Sequence, residues 1–303
     1  MRGIFFGTSA FAVPSLRAFA ETVECALVVT QPDRPAGRGH KLQPTPVKVA
    51  AIELGLPTRE PASLRDAVAT LAPLGARVFA VASYGKILPQ AVLDLPQLAL
   101  NVHPSLLPLY RGATPLVAQI RDGVTESGVT IIAMDAGMDT GDIVAQEHAT
   151  IGPRETHGEV HDRFALLGAE LLRRSCILAA EGTLERRPQA GLAPPDQIAR
   201  TLTRPLTKDD LLVDWRWPGP RIVNAVRALS PVPAARARLD GEAEMVKLLE
   251  VRAASAREPD ALSVPCGNGE FVIIERLVPA SRRPTTGSQY LAAARSAAAR
   301  ASR

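Results

Sequence analysis

Two stretches carry side chains whose types and spacing could do chemistry: NVHPSLLPLYRGATP, residues 101–115, and MDAGMDTGDI, residues 134–143. In the first, Asn101, His103 and Ser105 stand two residues apart, so they share one face wherever the chain is extended. In the second, Asp135, Asp139 and Asp142 are interleaved with Gly137 and Gly141, whose freedom at positive φ lets a tight loop fold over a site. An amide and an imidazole can hold a developing oxyanion from fixed positions, and a carboxylate can orient the imidazole or take up a proton. Together they suit acyl transfer to an amine without a covalent enzyme intermediate. Ser105 has no second histidine near it in sequence and the G-x-S-x-G pattern is absent, so no activated hydroxyl nucleophile is read here.

Such residues must be positioned by regular elements. Short apolar runs recur as GIFF (3–6), CALVVT (25–30), RVFAVAS (77–83), LALNVH (98–103) and GVTIIAM (128–134), with helix-like stretches FAVPSLRAFAE and TPVKVAAIELG between the earlier ones. Strands alternating with helices predict a mostly parallel sheet covered on both faces, with ligands beyond the carboxyl ends of the strands. Asn101 and His103 close one such run. Thr156 and Glu159 form an S/T-x-x-E capping box for a helix whose buried stripe is Val160, Phe164, Leu167 and Leu171. From 182 to 207 the chain is rich in Pro, Gly and Arg, a linker signal. Beyond it come a helix-like GPRIVNAVRAL, strand-like AARARLD, VKLLEVR and EFVIIERLV, and an Ala/Arg-rich tail helix.

The remaining signals mostly exclude functions. The chain has 303 residues, 46% of them apolar, with no run near the roughly 18 apolar residues that a membrane span needs. The first residues, MRGIFFGTSAF, read as a buried strand rather than a secretory signal, so a cytoplasmic protein is expected. Cys25, Cys176 and Cys266 lie too far apart for a disulfide framework or a CxxC metal site. The histidines of HGEVH (157–161) stand one helical turn apart like a metal pair, but Thr156 and Glu159 already serve the cap and HExxH is not matched, so no metal is expected. FGTSAF lacks the GxGxxG of a dinucleotide site. Residues 1–203 hold 19 Lys/Arg and 20 Asp/Glu, residues 204–303 hold 16 and 11, so the basic excess is C-terminal and suits a polyanion partner. A long loop, QPDRPAGRGHKLQPTPVK (31–48), carries Arg34, Arg38, His40, Lys41 and Lys48 among prolines and glycines; long loops in compact α/β domains are usually functional, and this one suits a phosphate backbone.

FGTSAFAVPSL, QPDRPAGRGHKLQPTPVK, NVHPSLLPLYRGATP and GVTIIAMDAGMDTGDI together resemble the methionyl-tRNA formyltransferases over nearly the whole chain. The resemblance implies a Rossmann-like α/β formyltransferase domain (1–188), a linker (189–207) and a small OB-like β-barrel (208–303) that binds tRNA. It implies formyl transfer from 10-formyltetrahydrofolate to the amine of initiator Met-tRNA by a cytoplasmic monomer that uses no metal. By the same resemblance Asn101, His103 and Asp139 are catalytic, Asp139 being the carboxylate before TGD. Leu88, Ser105, Leu106, Leu107, Pro108 and Asp135 belong to the folate site, and Arg34, Arg38 and Lys41 to the tRNA-binding loop. The chain departs from the family at SPVPAA (230–235), which lacks an aromatic residue, and in a barrel shorter by roughly one hairpin. A sugar-nucleotide formyltransferase or a formyltetrahydrofolate hydrolase would share the chemistry but leave the basic loop or barrel without a task. A non-catalytic tRNA binder would leave the Asn, His and Asp without one.

Overall fold

The structure is a computed structural model that describes residues 1–36, 41–239, 244–280 and 283–301. Met1–Pro115, Glu126–Thr150 and His161–Thr203 form one compact unit; Leu116–Thr125, Ile151–Val160 and Arg204–Arg303 form a second. The stretch read as a linker, 189–207, is therefore part of the first unit as far as Thr203. Its backbone is tied there, since Thr203 N–H donates to the Arg111 carbonyl at 2.8 Å.

The first unit is built on a seven-stranded sheet. Its strands are β1 (Arg2–Gly7), β2 (Glu24–Val29), β5 (Thr58–Arg59), β6 (Val78–Ala82), β7 (Leu98–His103), β8 (Glu126–Ala133) and β9 (Asp142–Thr150), and their order is β5-β2-β1-β6-β7-β8-β9. The five strands from β5 to β7 run parallel, while β8 and β9 are antiparallel to their neighbours. A short hairpin of β3 (Arg34–Ala36) and β4 (Lys41–Gln43) stands apart from this sheet. The central strands are continuous apolar runs because both faces are covered: every residue of β6 is buried. Helix α1 (Ala12–Thr22) turns Leu16 and Phe19 into the core. Phe5 and Phe19 lie 5.8 Å apart, Phe6 and Phe79 5.2 Å, and Tyr84 meets Phe6 edge-on. Helix α2 (Pro46–Glu53) starts with a proline in its first turn behind an N-cap threonine, Thr45, whose hydroxyl accepts from Lys48 N–H; both features favour a helix start. Short helices α3 (Val68–Leu71) and α4 (Gln90–Leu93) complete the crossovers.

Helices α5 (Pro115–Arg121), α6 (His157–Glu181) and α7 (Pro195–Arg200) follow. The capping box forms as read: Glu159 accepts from both Thr156 N–H and Thr156 hydroxyl, and Thr156 Oγ1 accepts from Glu159 N–H. Of the expected stripe, Val160, Phe164 and Leu171 are buried and Leu167 is half-buried. His161 stands edge-on to Phe11 and contacts the Asp162 carboxylate. Burial pushes the Cys25 thiol up to about 11 and the Cys176 thiol to about 12, which makes both poor nucleophiles.

The second unit packs helix α8 (Gly219–Arg227) on an antiparallel five-stranded sheet of the small-barrel type, with β10 (Ala235–Ala237), β11 (Val246–Ala254), β12 (Leu262–Pro265), β13 (Phe271–Val278) and β14 (Thr285–Thr286), followed by α9 (Gly287–Ala301). Asp210 anchors its entry. The Arg204 guanidinium, then the N–H and hydroxyl of Thr207, hold this carboxyl well below the usual carboxylate range. A folded-state pKa below the unfolded value of about 3.9 gives a contribution complete above that pH and lost as pH falls through the depressed value. Asp210→Asn is thus expected to flatten the decline of melting temperature between about pH 4 and pH 2, measured by thermal denaturation across that range.

Candidate active site

Asn101 and His103 alternate on β7, with Val102 buried between them on the opposite face. The strand ends at His103, so Ser105 lies beyond it and does not extend the row. Its hydroxyl donates to the Leu109 carbonyl at 2.7 Å, and its carbonyl accepts from Thr130 Oγ1. Ser105 thus fixes the loop. Leu107 N–H reaches Thr130 Oγ1, Gln146 Nε2 holds the Leu107 carbonyl, and the Leu107 side chain packs with Ile132 and Ile143. Leu106 lies over Gly128, where a Cβ would be 2.6 Å from its methyl, and Pro108 is buried.

The loop after β8 brings Asp139 to this row. Asp139 Oδ1 accepts a long hydrogen bond from Asn101 Nδ2 (3.5 Å), and Oδ2 stands 3.6 Å from His103 Nδ1. The latter is an electrostatic contact rather than a hydrogen bond. Oδ2 also accepts from Gly112 N–H at 2.8 Å. His103 is 4% exposed, and its Nε2 lies 2.9 Å from the Tyr110 carbonyl. A carbonyl only accepts, so this contact places the imidazole proton on Nε2 and leaves Nδ1 to face the carboxylate. The imidazole can therefore offer an N–H to a reacting oxygen only after Nδ1 has taken up a proton. Tyr110 presents that carbonyl from a left-handed backbone, φ 59°, and its N–H is held by Thr201 Oγ1.

The loop is shaped differently from the sequence expectation. Gly137 and Gly141 are not at positive φ; Asp139 itself is, at 55°. The two glycines are required by space, because a Cβ on Gly137 would lie 1.9 Å from Thr140 Oγ1 and one on Gly141 1.9 Å from the Ala133 carbonyl. Asp135 is exposed and closes the loop on itself, accepting from Gly137 N–H and Thr140 hydroxyl. Asp142 begins β9. Gly112 combines φ 111° with a Cβ direction that runs into the Thr203 carbonyl at 2.2 Å. Gly112→Ala should strain this backbone by roughly 1–3 kcal/mol and push Asp139 off Nδ1. A melting point several degrees lower and a turnover lower by more than tenfold are expected from thermal denaturation and steady-state assay.

The turn after β6 supplies the neighbouring wall. Leu88 is buried in one apolar cluster with Tyr84 and Val92, against which Met134 packs. Ser83 (φ 41°) and Gly85 (φ 80°) bend the turn, and the Tyr84 carbonyl accepts from Thr8 Oγ1 and Gln31 Nε2, each at 2.8 Å. Gln31 in turn accepts from Arg34. The basic loop is thus rooted in the strand ends. Of its cations, Lys48 sits between Asp33 (2.9 Å) and Glu60 (2.7 Å), Lys41 pairs its backbone with Ala36, and Arg38 lies outside the described residues.

Sequence reading missed four supports of the site: the Tyr110 carbonyl, Gly112 N–H, Thr201 and Gln189. None has a chemical signature in one dimension, since two are backbone groups and the other two lie in a stretch that resembles a linker. In the second unit a cleft of about 930 Å³ is lined by Trp215, Trp217 and Arg236, among others. Arg221 stacks on Trp217 with its guanidinium carbon 4.3 Å from the ring centroid. Asp209, Asp210 and Asp214 line the same cleft, and Arg216 holds the Asp214 carboxyl down to about 2. Its charge is mixed rather than uniformly basic. Among the described residues no group of three His, Cys, Asp or Glu is placed to share a metal ion, and no helix is long and apolar enough to cross a membrane.

The chain matches the family described as Formyl transferase over residues 1–175 and Formyl transferase, C-terminal domain, over residues 205–295. It is 42% identical over 306 residues to a methionyl-tRNA formyltransferase of Cereibacter sphaeroides, covering 96% of this chain and 95% of that one. It is 40% identical over 301 residues to that of Stutzerimonas stutzeri, covering 96% and 94%. Among solved structures it resembles an N-formyltransferase from Helicobacter canadensis in complex with folinic acid and dTDP-3-aminofucose, with TM-score 0.66 and 17% identity over 90% of this chain and 98% of that one. It also resembles HypX from Aquifex aeolicus in complex with tetrahydrofolic acid, with TM-score 0.62 and 16% identity over 96% of this chain and 47% of that one. The structural likenesses speak for the fold. The identities along nearly full length go further, and with the two matched domains they establish that the chain belongs to the methionyl-tRNA formyltransferase family.

Proposed function

We propose that this chain transfers the formyl group of 10-formyltetrahydrofolate to the α-amine of methionine esterified to initiator tRNA, giving N-formylmethionyl-tRNA for translation initiation. The observation that carries this reading is the convergence of Asn101, His103 and Asp139 at the end of β7, in a chain about 40% identical to methionyl-tRNA formyltransferases along its length. The folate co-substrate supplies an activated formyl carbon on a nitrogen that can leave. In this reading Leu88, with Met134 packed against its cluster, the fixed loop Ser105–Pro108 and the Asp135-closed loop hold the folate.

The amine attacks the formyl carbon, and the carbonyl oxygen takes negative charge as that carbon becomes tetrahedral. In this reading Asn101 Nδ2 donates to this oxygen; its bond to Asp139 is long, at 3.5 Å, as catalytic hydrogen bonds often are before substrate binds. His103, with its proton held on Nε2 by Tyr110, accepts the amine proton at Nδ1. The imidazolium so formed is stabilised by Asp139 and can itself donate to the oxyanion. The bond from carbon to the folate nitrogen then breaks, and the proton passes to the leaving nitrogen. Attack needs a neutral amine, and free α-amines titrate near 7.7 to 8.0. A modest fall in pKa suffices.

For the acceptor, the hairpin β3–β4 supports the tRNA reading. Arg34 and Lys41 stand on strands β3 and β4, with Arg34 held at Gln31 and Lys48 at Asp33, and with Arg38, which follows in sequence, they would serve a tRNA where a sugar-nucleotide acceptor would not need them. The Trp217 and Arg221 stack offers a second surface on which nucleic acid can rest. A cytoplasmic monomer, where charged tRNA is made, completes the reading. The test is formyl transfer from 10-formyltetrahydrofolate to purified Met-tRNA, comparing initiator, elongator and uncharged forms. Transfer confined to charged initiator tRNA is expected; folate turnover without formylated Met-tRNA would discard the acceptor and keep the chemistry.

A further inference from the structure

Gln189 lies in the Pro-rich stretch that reads as a linker, yet it is 4% exposed. Its amide has four hydrogen-bonding positions, and all are used. Nε2 donates to the Asp139 carbonyl at 2.9 Å and to the Gly141 carbonyl at 2.7 Å. Oε1 accepts from Arg111 Nη2 at 2.7 Å and Nε at 3.2 Å. Both ends of the amide therefore join only two segments, the Arg111–Gly112 turn and the Asp139–Gly141 loop.

Asp139 needs such a hold. Its left-handed backbone, φ 55°, is unfavourable for a non-glycine residue and persists only where surroundings over-determine it. Gly112 N–H grips its side chain, while Gln189 grips its main chain and is itself gripped by the residue before Gly112. Side chain and backbone of Asp139 are thus referred to one anchor, and the Arg111 carbonyl of that anchor is tied to Thr203 by both N–H and hydroxyl. We propose that Gln189 is a positioning residue that sets the Asp139 carboxylate against His103 Nδ1, with Arg111 orienting its amide. This rests on the roles assigned to Asp139 and His103 under the proposed function.

Gln189→Glu preserves size and the bonds from Arg111 but turns both donors into an acceptor facing two carbonyls. Displacing a catalytic group by about an ångström costs on the order of 100-fold in rate, so a single-turnover rate 10- to 100-fold lower is expected, with unchanged affinity for tetrahydrofolate. The discriminating measurement is a double-mutant cycle with Asp139→Ala. If Gln189 acts through Asp139, Gln189→Glu slows the Asp139→Ala enzyme less than twofold. Arg111→Lys, which keeps the charge and loses the two-pronged grip, serves as a second variant should Gln189→Glu fail to fold, and the same non-additivity is expected of it. Equal losses in both backgrounds, or a wild-type rate for Gln189→Glu, would overturn the inference. Wild-type turnover by Asp139→Ala alone would instead remove the catalytic reading on which it stands.

Discussion

Asn101→Ala, His103→Ala and Asp139→Ala are each expected to lower kcat by roughly 100- to 1000-fold, the usual loss when a preorganised donor to a developing oxyanion is removed, while leaving tRNA affinity nearly unchanged. The three should fail for different reasons. Asn101→Ala removes the donor aimed at the formyl oxygen, so kcat and kcat/KM fall together, as for an interaction made only in the transition state. His103→Ala removes the group that accepts the amine proton, so part of its loss should be recovered by added imidazole, which can accept that proton in its place. Asp139 accepts from Gly112 N–H and from Asn101 Nδ2. Asp139→Asn leaves one of those donors facing an NH2 group, so even this isosteric change should cost most of the rate. Steady-state kinetics at saturating folate and charged tRNA, with tRNA affinity measured separately, reads all three; turnover within threefold of wild type in any of them contradicts its role.

The largest expected effect on stability belongs to Arg227. This arginine is 7% exposed, and burial lowers its pKa from the ordinary arginine value. Its guanidinium donates to the carbonyls of Gly152, Glu155 and Ile120 and to Asn224 Oδ1. It fastens the end of α8 to two segments that come from the middle of the chain, so the second unit depends on it for its topology as well as its packing. Arg227→Leu would leave one buried and two part-buried carbonyls without donors at roughly 1–3 kcal/mol each, partly relieved by relaxation. A net loss of about 3–5 kcal/mol is expected, seen as a fall of the order of ten degrees in melting temperature. A shift below two degrees would show that water takes over its bonds.

Much of the first unit was legible because its strands are buried on both faces and so stand out as unbroken apolar runs: LALNVH coincides with β7 and RVFAVAS contains β6. Strand β9 was not read, since as an edge strand it is largely half-exposed and has no such run. The same holds for the four-residue β12. The carboxyl-end rule matches the position of Asn101 and His103 at the end of β7, while the glycine-spaced acidic loop left three carboxylates open and only the family resemblance singled out Asp139. What holds these groups was not legible. Tyr110 acts through its carbonyl and Gly112 through its N–H, and residues 189–203 look like a linker because Pro and Gly report local backbone bias, while packing onto the first unit is a tertiary fact. The placement of residues 116–125 and 151–160 in the second unit is likewise invisible to periodicity. Some C-terminal cations stand in pairs, such as Arg204 with Asp210, Arg252 with Glu258 and Arg276 with Glu250, and exposed pairs of this kind add little stability.

The most direct measurement is a rapid-quench single turnover with labelled formyl on 10-formyltetrahydrofolate, excess enzyme and charged initiator tRNA. Direct transfer at the Asn101, His103 and Asp139 centre predicts that label passes to N-formylmethionyl-tRNA with none on the protein at any time, and that Asp139→Asn slows this single step at least 100-fold. Label trapped on the protein, or product formed by Asp139→Asn at the wild-type rate, would contradict it.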